Sequence, residues 1–137
     1  MPSLDNMMLR QIIMDHYENP RNHELVEDDS YKKVNMDSET CIDNIDIQAK
    51  IENGVIEDIR FDGEACAICT SSTSIMTELL IGKTIDEARV IIENYMNMIF
   101  EKDYDPEILE EAIAFYNTHK QANRIKCATL GWEGITQ

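Results

Sequence analysis

Residues 44–61 constrain the fold more than any other stretch of this chain. Ile45, Ile47, Ala49 and Ile51 alternate with Asn44, Asp46, Gln48 and Lys50, the period of two expected of a strand with one buried face. Asn53-Gly54 follows, the pair preferred where both central residues of a tight hairpin turn need positive φ. Val55 to Phe61 then returns as the partner strand, with Ile59 and Phe61 on one face. Two strands alone are marginal in water, so a third strand and a helical cover are expected. Tyr31 to Val34 is the candidate third strand, inside an otherwise polar loop from Arg21 to Glu39.

Helical periods flank this hairpin. Leu4 to Tyr17 reads as a helix with Met8, Ile12 and Ile13 at helical spacing. Asn19-Pro20 ends it, because proline disfavours helix in the residue before it. Ile68, Ser72, Ile75, Met76, Leu79 and Leu80 form a second stripe, and Gly82 fits the position just past its end. Thr84-Ile85-Asp86-Glu87 is a capping box opening a third helix through Ile91, Tyr95 and Ile99. Asp105-Pro106 supplies an N-cap and a first-turn proline for a fourth, carrying Leu109, Ile113 and Tyr116. His119 to Lys126 is polar and reads as irregular, leaving a short last helix over Cys127 to Trp132. Strands first and helices mostly afterwards suggest an α+β fold: a small antiparallel sheet of about three strands with helices packed on one face. With 137 residues and 43% apolar side chains, residues 1–137 are expected to form one domain whose core needs no disulfide staple.

Charge excludes one class of function. The chain carries 12 basic and 27 acidic side chains, a net charge of −15. Phosphate binding needs a concentrated positive surface, so no nucleic acid partner is expected. Most of the acids coat the surface, and their excess favours a partner with a basic docking face. There is no secretory signal and no run long enough to cross a bilayer. The expectation is a cytoplasmic protein, free of membrane, whose thiols stay reduced.

In that compartment four cysteines point to metal binding or catalysis before disulfides. Cys41 and Asp43 are two residues apart, so on an extended segment thiol and carboxylate face the same side. The pair is either half of a divalent-metal site or a buried cysteine beside a turn aspartate. Cys66 falls where the strand pattern ends and a helix begins, and a helix N-terminus stabilises a thiolate. Cys69 follows at i+3: either one half of a redox or zinc Cys-x-x-Cys, or a small residue packed in the helix. Cys127 follows Arg124 and Lys126. Three thiolates and a carboxylate around a divalent ion would leave net negative charge, and Arg124, with its fork of donors, is the better placed of the two cations to offset it. His16 reads as a packing or surface residue and His23 as solvated. The methionines fill core gaps.

Four segments carry a family resemblance: Ile12 to Asn22, Thr40-Cys41-Ile42-Asp43, Phe61 to Cys66, and Arg124 to Trp132. Together they resemble the U-type iron–sulfur cluster assembly proteins, the NifU N-terminal/IscU/SufU family, over nearly the whole chain and in the same order. The chain looks most like the SufU branch. Cys66 and Cys127 stand 61 residues apart, longer than in the IscU branch, and Lys126 occupies the place of an IscU histidine. The resemblance implies a SufE/NifU-like fold and a site made of Cys41, Asp43, Cys66 and Cys127, with Arg124 beside it. In the SufU branch that site holds Zn²⁺, and the thiol matching Cys41 takes persulfide sulfur from a SufS-type cysteine desulfurase. Four protein ligands close a tetrahedron, so sulfur transfer then requires Cys41 to leave the ion.

The resemblance supports a zinc-dependent sulfur acceptor in iron–sulfur cluster biogenesis. One alternative is a scaffold on which iron and sulfur assemble as a transient [2Fe–2S] cluster for apo iron–sulfur proteins or other Suf components. Another is an inactive or regulatory zinc homologue. The readings leave it open whether the chain is a sulfurtransferase-like accessory protein or a non-enzymatic scaffold. Two departures bear on the choice: Ile42 and Ala65 stand where the family has glycine, and each removes backbone freedom near the site.

Overall fold

Asn53 and Gly54 both take positive φ, 54° and 74°, so the hairpin turn forms as its sequence dictates. It joins β2 (Asn44–Glu52) to β3 (Val55–Glu64), and β1 (Lys32–Asp37) pairs with the other edge of β2. The sheet is antiparallel throughout, in the order β1-β2-β3. This is a computed structural model, and it describes residues 6–38 and 42–136. The third strand lies where the sequence placed it but runs further, to Asp37.

The strand alternation holds at one end and breaks at the other. Ile45, Ile47, Ile59 and Phe61 are buried on the helix-covered face, with Ile47 opposite Phe61. A register shift between Lys50 and Ile51 then skips Glu57 and turns Ile56 inside, while Ile51, beside the hairpin turn, is exposed. Gln48, expected on the wet face, is buried. Its amide accepts from the Val26 N–H and donates to the Val26 carbonyl, both at 2.8 Å. The polar loop from Arg21 onward is thereby tied to the sheet, and Phe61 N–H donating to Asn22 O at 3.1 Å ties it again. His23 is not simply solvated: its ring lies 4.8 Å from that of Phe61 and it pairs with Asp62 at 3.3 Å.

The helices differ from expectation in phase and length. On α1 (Asn6–Glu18) the inward stripe is Leu9, Ile12, Ile13 and His16, while Met8 is exposed. Leu4 lies outside the described residues. α2 (Ala67–Leu80) is buried nearly all round, because Ser and Thr fill positions where long side chains would hold neighbouring helices apart. Ser71 and Thr77 return their hydroxyls to their own helix, to Ala67 O and Ser74 O, both at 2.7 Å. α3 (Ile85–Ile99) opens with both halves of the Thr84–Glu87 capping box in place. Residues Pro106–Phe115 are 3₁₀ rather than α, broken at Glu110 (φ 46°, ψ −123°), with Asp105 capping as expected. α4 (Ala122–Ile135) starts five residues before Cys127 and is no short terminal turn. Among the described residues no helix is long and apolar enough to cross a membrane.

One buried network locks three helices together. The Trp132 ring of α4 stacks on Tyr95 of α3 at 3.9 Å. Its indole N–H donates to Ser72 Oγ of α2 at 3.0 Å. Ser72 and Tyr95 both donate to the Ala128 carbonyl, at 2.6 and 2.7 Å, and burial pushes the Tyr95 hydroxyl far above its ordinary pKa, keeping it a donor. Ser72→Ala should therefore cost about 1–3 kcal/mol, the range for a buried donor left unpaired. Urea unfolding measures it, and a loss near zero would show that the indole N–H does not depend on Ser72.

Candidate metal centre

Three elements deliver one donor each to a common point. Asp43 directly precedes β2, Cys66 is the N-cap of α2, and Cys127 lies in the second turn of α4. A carboxylate oxygen and the two Sγ atoms all lie within 4.8 Å of one another. Asp43 is 0% exposed, Cys127 is 1% exposed and Cys66 is half-buried.

Local structure fixes each donor. The Cys66 amide donates to Asp43 Oδ1 at 2.7 Å, leaving Oδ2 3.7 Å from Cys66 Sγ. Ser38 N–H donates to Asp43 O at 2.9 Å, closing the β1–β2 connection at its base. Cys66 Sγ accepts the Cys69 amide at 3.4 Å, as a helix-capping side chain does. Cys127 is held by the network on the next residue's carbonyl, Ala128 O. The expected stabilisation of the Cys66 thiolate does not follow from this cap. Burial pushes the thiol up and the Asp43 charge adds to it, outweighing the hydrogen bonds from the Cys69 amide and the Cys127 thiol.

The donor set suits a divalent ion of borderline softness. A buried carboxylate beside two thiols is costly without a positive charge. Sulfur and oxygen ligands on a zinc tetrahedron stand about 3.6 Å apart, against the 3.7 Å between Cys66 Sγ and Asp43 Oδ2. Asp43, Cys66 and Cys127 would hold such an ion with three protein donors.

The remaining sequence candidates separate clearly. Cys41 lies outside the described residues. Arg124 sits on α4 one turn before Cys127 and is half-buried. Lys126 is engaged with Glu133 of its own helix at 2.7 Å. Cys69 is fully buried in the hydrophobic core and contributes its amide to the cap. Ile42 is 66% exposed, so its side chain adds bulk outside the buried donors. Ala65 is half-buried and takes no positive φ. Sequence reasoning missed a second cluster, in which His16, Glu78 and Glu111 bring ligand atoms within 4.8 Å of one another. The helical phase of α1 was the available signal, since Leu9, Ile12, Ile13 and His16 follow i, i+3, i+4, i+7.

Comparison with known proteins gives the family. Residues 8–137 match the family model described as the NifU-like N terminal domain. The chain is 39% identical over 129 residues to the zinc-dependent sulfurtransferase SufU of Bacillus subtilis, covering 93% of this chain and 86% of that protein. It is 32% identical over 133 residues to the iron–sulfur cluster assembly scaffold protein IscU of Streptococcus pyogenes, covering 96% and 82%. Among solved structures, a protein described as an iron–sulfur cluster assembly scaffold for the SUF system, from Fervidobacterium islandicum, superposes with a TM-score of 0.84. That pair is 30% identical and the match covers 92% of each chain.

Proposed function

Since the chain belongs to the NifU-like N-terminal domain family, we propose that it is a zinc-dependent sulfur acceptor in iron–sulfur cluster biogenesis. The observation that carries this reading is the convergence of Asp43, Cys66 and Cys127 within 4.8 Å, from the start of β2, the cap of α2 and the body of α4. Cys41 completes the proposed set. It is two residues from Asp43, so its Cα lies no more than about 7 Å from that of Asp43. A bound Zn²⁺ would hold these thiols as thiolates at neutral pH.

The chemistry then falls to Cys41. Its thiolate attacks the outer sulfur of a persulfide carried by a cysteine desulfurase. A bond forms between Cys41 Sγ and that sulfur, the enzyme's S–S bond breaks, and the enzyme cysteine leaves as a thiolate. Cys127 is too buried to meet a second protein's cysteine, and the half-buried Cys66 sulfur is engaged in the cap of α2. Arg124, one turn from Cys127, offsets negative charge as the site gathers sulfur. The acidic surface, −15 overall, suits a desulfurase with a basic rim around its persulfide loop.

Cys41→Ala tests the assignment. With a SufS-type desulfurase and cysteine, the native chain should acquire one persulfide sulfur, detected by intact-mass shift, and the variant should fall to background while keeping its circular dichroism. Full uptake by the variant would overturn the role of Cys41. A scaffold gives a different result: the native chain reconstituted without oxygen would hold a [2Fe–2S] chromophore and pass it to an apo-ferredoxin.

A further inference from the structure

We propose that His16, Glu78 and Glu111 form a second divalent-cation site, separate from the thiolate centre and made only of nitrogen and oxygen donors. The three residues come from α1, α2 and the 3₁₀ segment after α3. His16 Nε2 lies 3.2 Å from Glu111 Oε1 and 3.7 Å from Glu78 Oε1. Ligands about 2.1 Å from an ion stand roughly 3.0 Å apart in an octahedron and roughly 3.4 Å apart in a tetrahedron. The observed separations need only small adjustment of two carboxylates that are half-exposed, at 46% and 51%. Glu78 stands twelve residues beyond Cys66 along α2, about 18 Å by helical rise. The two centres therefore share no ligand.

The imidazole distinguishes this cluster from a patch of surface acids. His16 is 0% exposed, and its Nδ1 is 2.8 Å from Ser74 Oγ. Ser74 Oγ also accepts the Arg21 N–H at 2.8 Å. That contact fixes the ring so that the opposite nitrogen faces both carboxylates. With Nδ1–H donating to Ser74, the Nε2 lone pair and two carboxylate oxygens converge on one point that a cation would fill, whereas in the other tautomer Nε2–H donates to Glu111 Oε1. A hydrogen bond from the far ring nitrogen is the usual way a ligating histidine is oriented. Over the carboxylates opens a cavity of about 210 Å³ lined by Ile75, Glu78, Leu79, Glu110 and Glu111, room for the waters that complete an ion's shell. Arg21 reaches Glu78 only at 3.6 Å and is committed to Asp15 at 2.7 Å. One guanidinium thus faces Asp15, Glu78 and Glu111. One imidazole with two carboxylates suits a harder first-row ion than the thiolate site does.

Mn²⁺ is the probe, because it prefers such donors and does not displace Zn²⁺ from thiolates. The full chain is loaded with one equivalent of Zn²⁺ and titrated with Mn²⁺ in moderate salt, following loss of the free-ion electron paramagnetic resonance signal. One Mn²⁺ should bind per chain. Glu78→Gln and Glu111→Gln should each weaken binding at least about fivefold. Glutamine keeps an acceptor for an imidazole N–H, so a purely hydrogen-bonded cluster would be untouched by either change. Both side chains are half-exposed, so the fold survives their replacement. Absence of a bound Mn²⁺, or weakening below fivefold in either variant, would overturn the site. Neither outcome bears on the thiolate centre, whose ligands are unchanged in every protein tested.

Discussion

Cys127→Ser should strip the protein of zinc. The native chain is expected to carry one equivalent through gel filtration, and the variant almost none. Changing residues that merely orient a ligand costs about 10–100-fold in metal affinity. Loss of a thiolate donor should therefore exceed about a hundredfold in chelator competition. A serine hydroxyl stays protonated at neutral pH and offers no comparable donor, yet it nearly matches cysteine in volume. The helix should persist, because Ala128, Leu130 and Trp132 of α4 remain buried in the core. Circular dichroism checks that the loss is of metal and not of fold. Cys69→Ser is the control: it changes a core cysteine of α2 that gives its amide to Cys66, and it should keep its zinc. Equal zinc in both variants and the native chain would remove Cys127 from the site.

The parts of this fold legible in the sequence are those encoded locally. Asn53-Gly54 needed nothing beyond itself to specify its turn, and the Thr84–Glu87 box formed as written. Cys66 could be placed at a helix start because the hydrophobic period changes there. What stayed hidden depends on partners distant in sequence. α4 begins without a side-chain cap, at Gln121 with φ −123°, and its first two residues, Ala122 and Asn123, are exposed, so nothing local announces it. Ile56 sits inside because of a register shift that only strand pairing reveals. Gln48 is inside because Val26 is there to satisfy both ends of its amide. The metal centre divides in the same way. Donor chemistry and the family resemblance named Asp43, Cys66 and Cys127, but their convergence is a property of how α2 and α4 pack. The cluster around His16 had no sequence signal beyond helical phase, since Glu78 and Glu111 are ordinary acids until the 3₁₀ segment sets one beside the other.

Gly63→Ala should damage fold and site together. Gly63 closes β3 with φ +134°, a conformation L side chains rarely adopt, and it pairs with Ile45 of β2. A Cβ there would meet Asn44 O at 2.3 Å and Ile45 Cα at 2.9 Å. Both are backbone atoms of a central strand and cannot swing away as a flexible side chain can. Backbone strain of about 1–3 kcal/mol adds to an overpacking cost of similar size, so the loss in urea unfolding should reach roughly 3 kcal/mol or more. Gly54→Ala calibrates the measurement. Its φ is +74° but nothing lies within 4 Å of the added carbon, so only the left-handed penalty of about 1–2 kcal/mol applies. The clash at Gly63 also bears on Asn44, the residue after Asp43. Relieving it moves the carboxylate away from the Cys66 amide it now accepts from at 2.7 Å. Zinc affinity should consequently fall in Gly63→Ala and hold in Gly54→Ala. Equal stability losses in the two variants would mean that β2 yields at Asn44, and that the strand is not what keeps Asp43 in reach of the sulfurs.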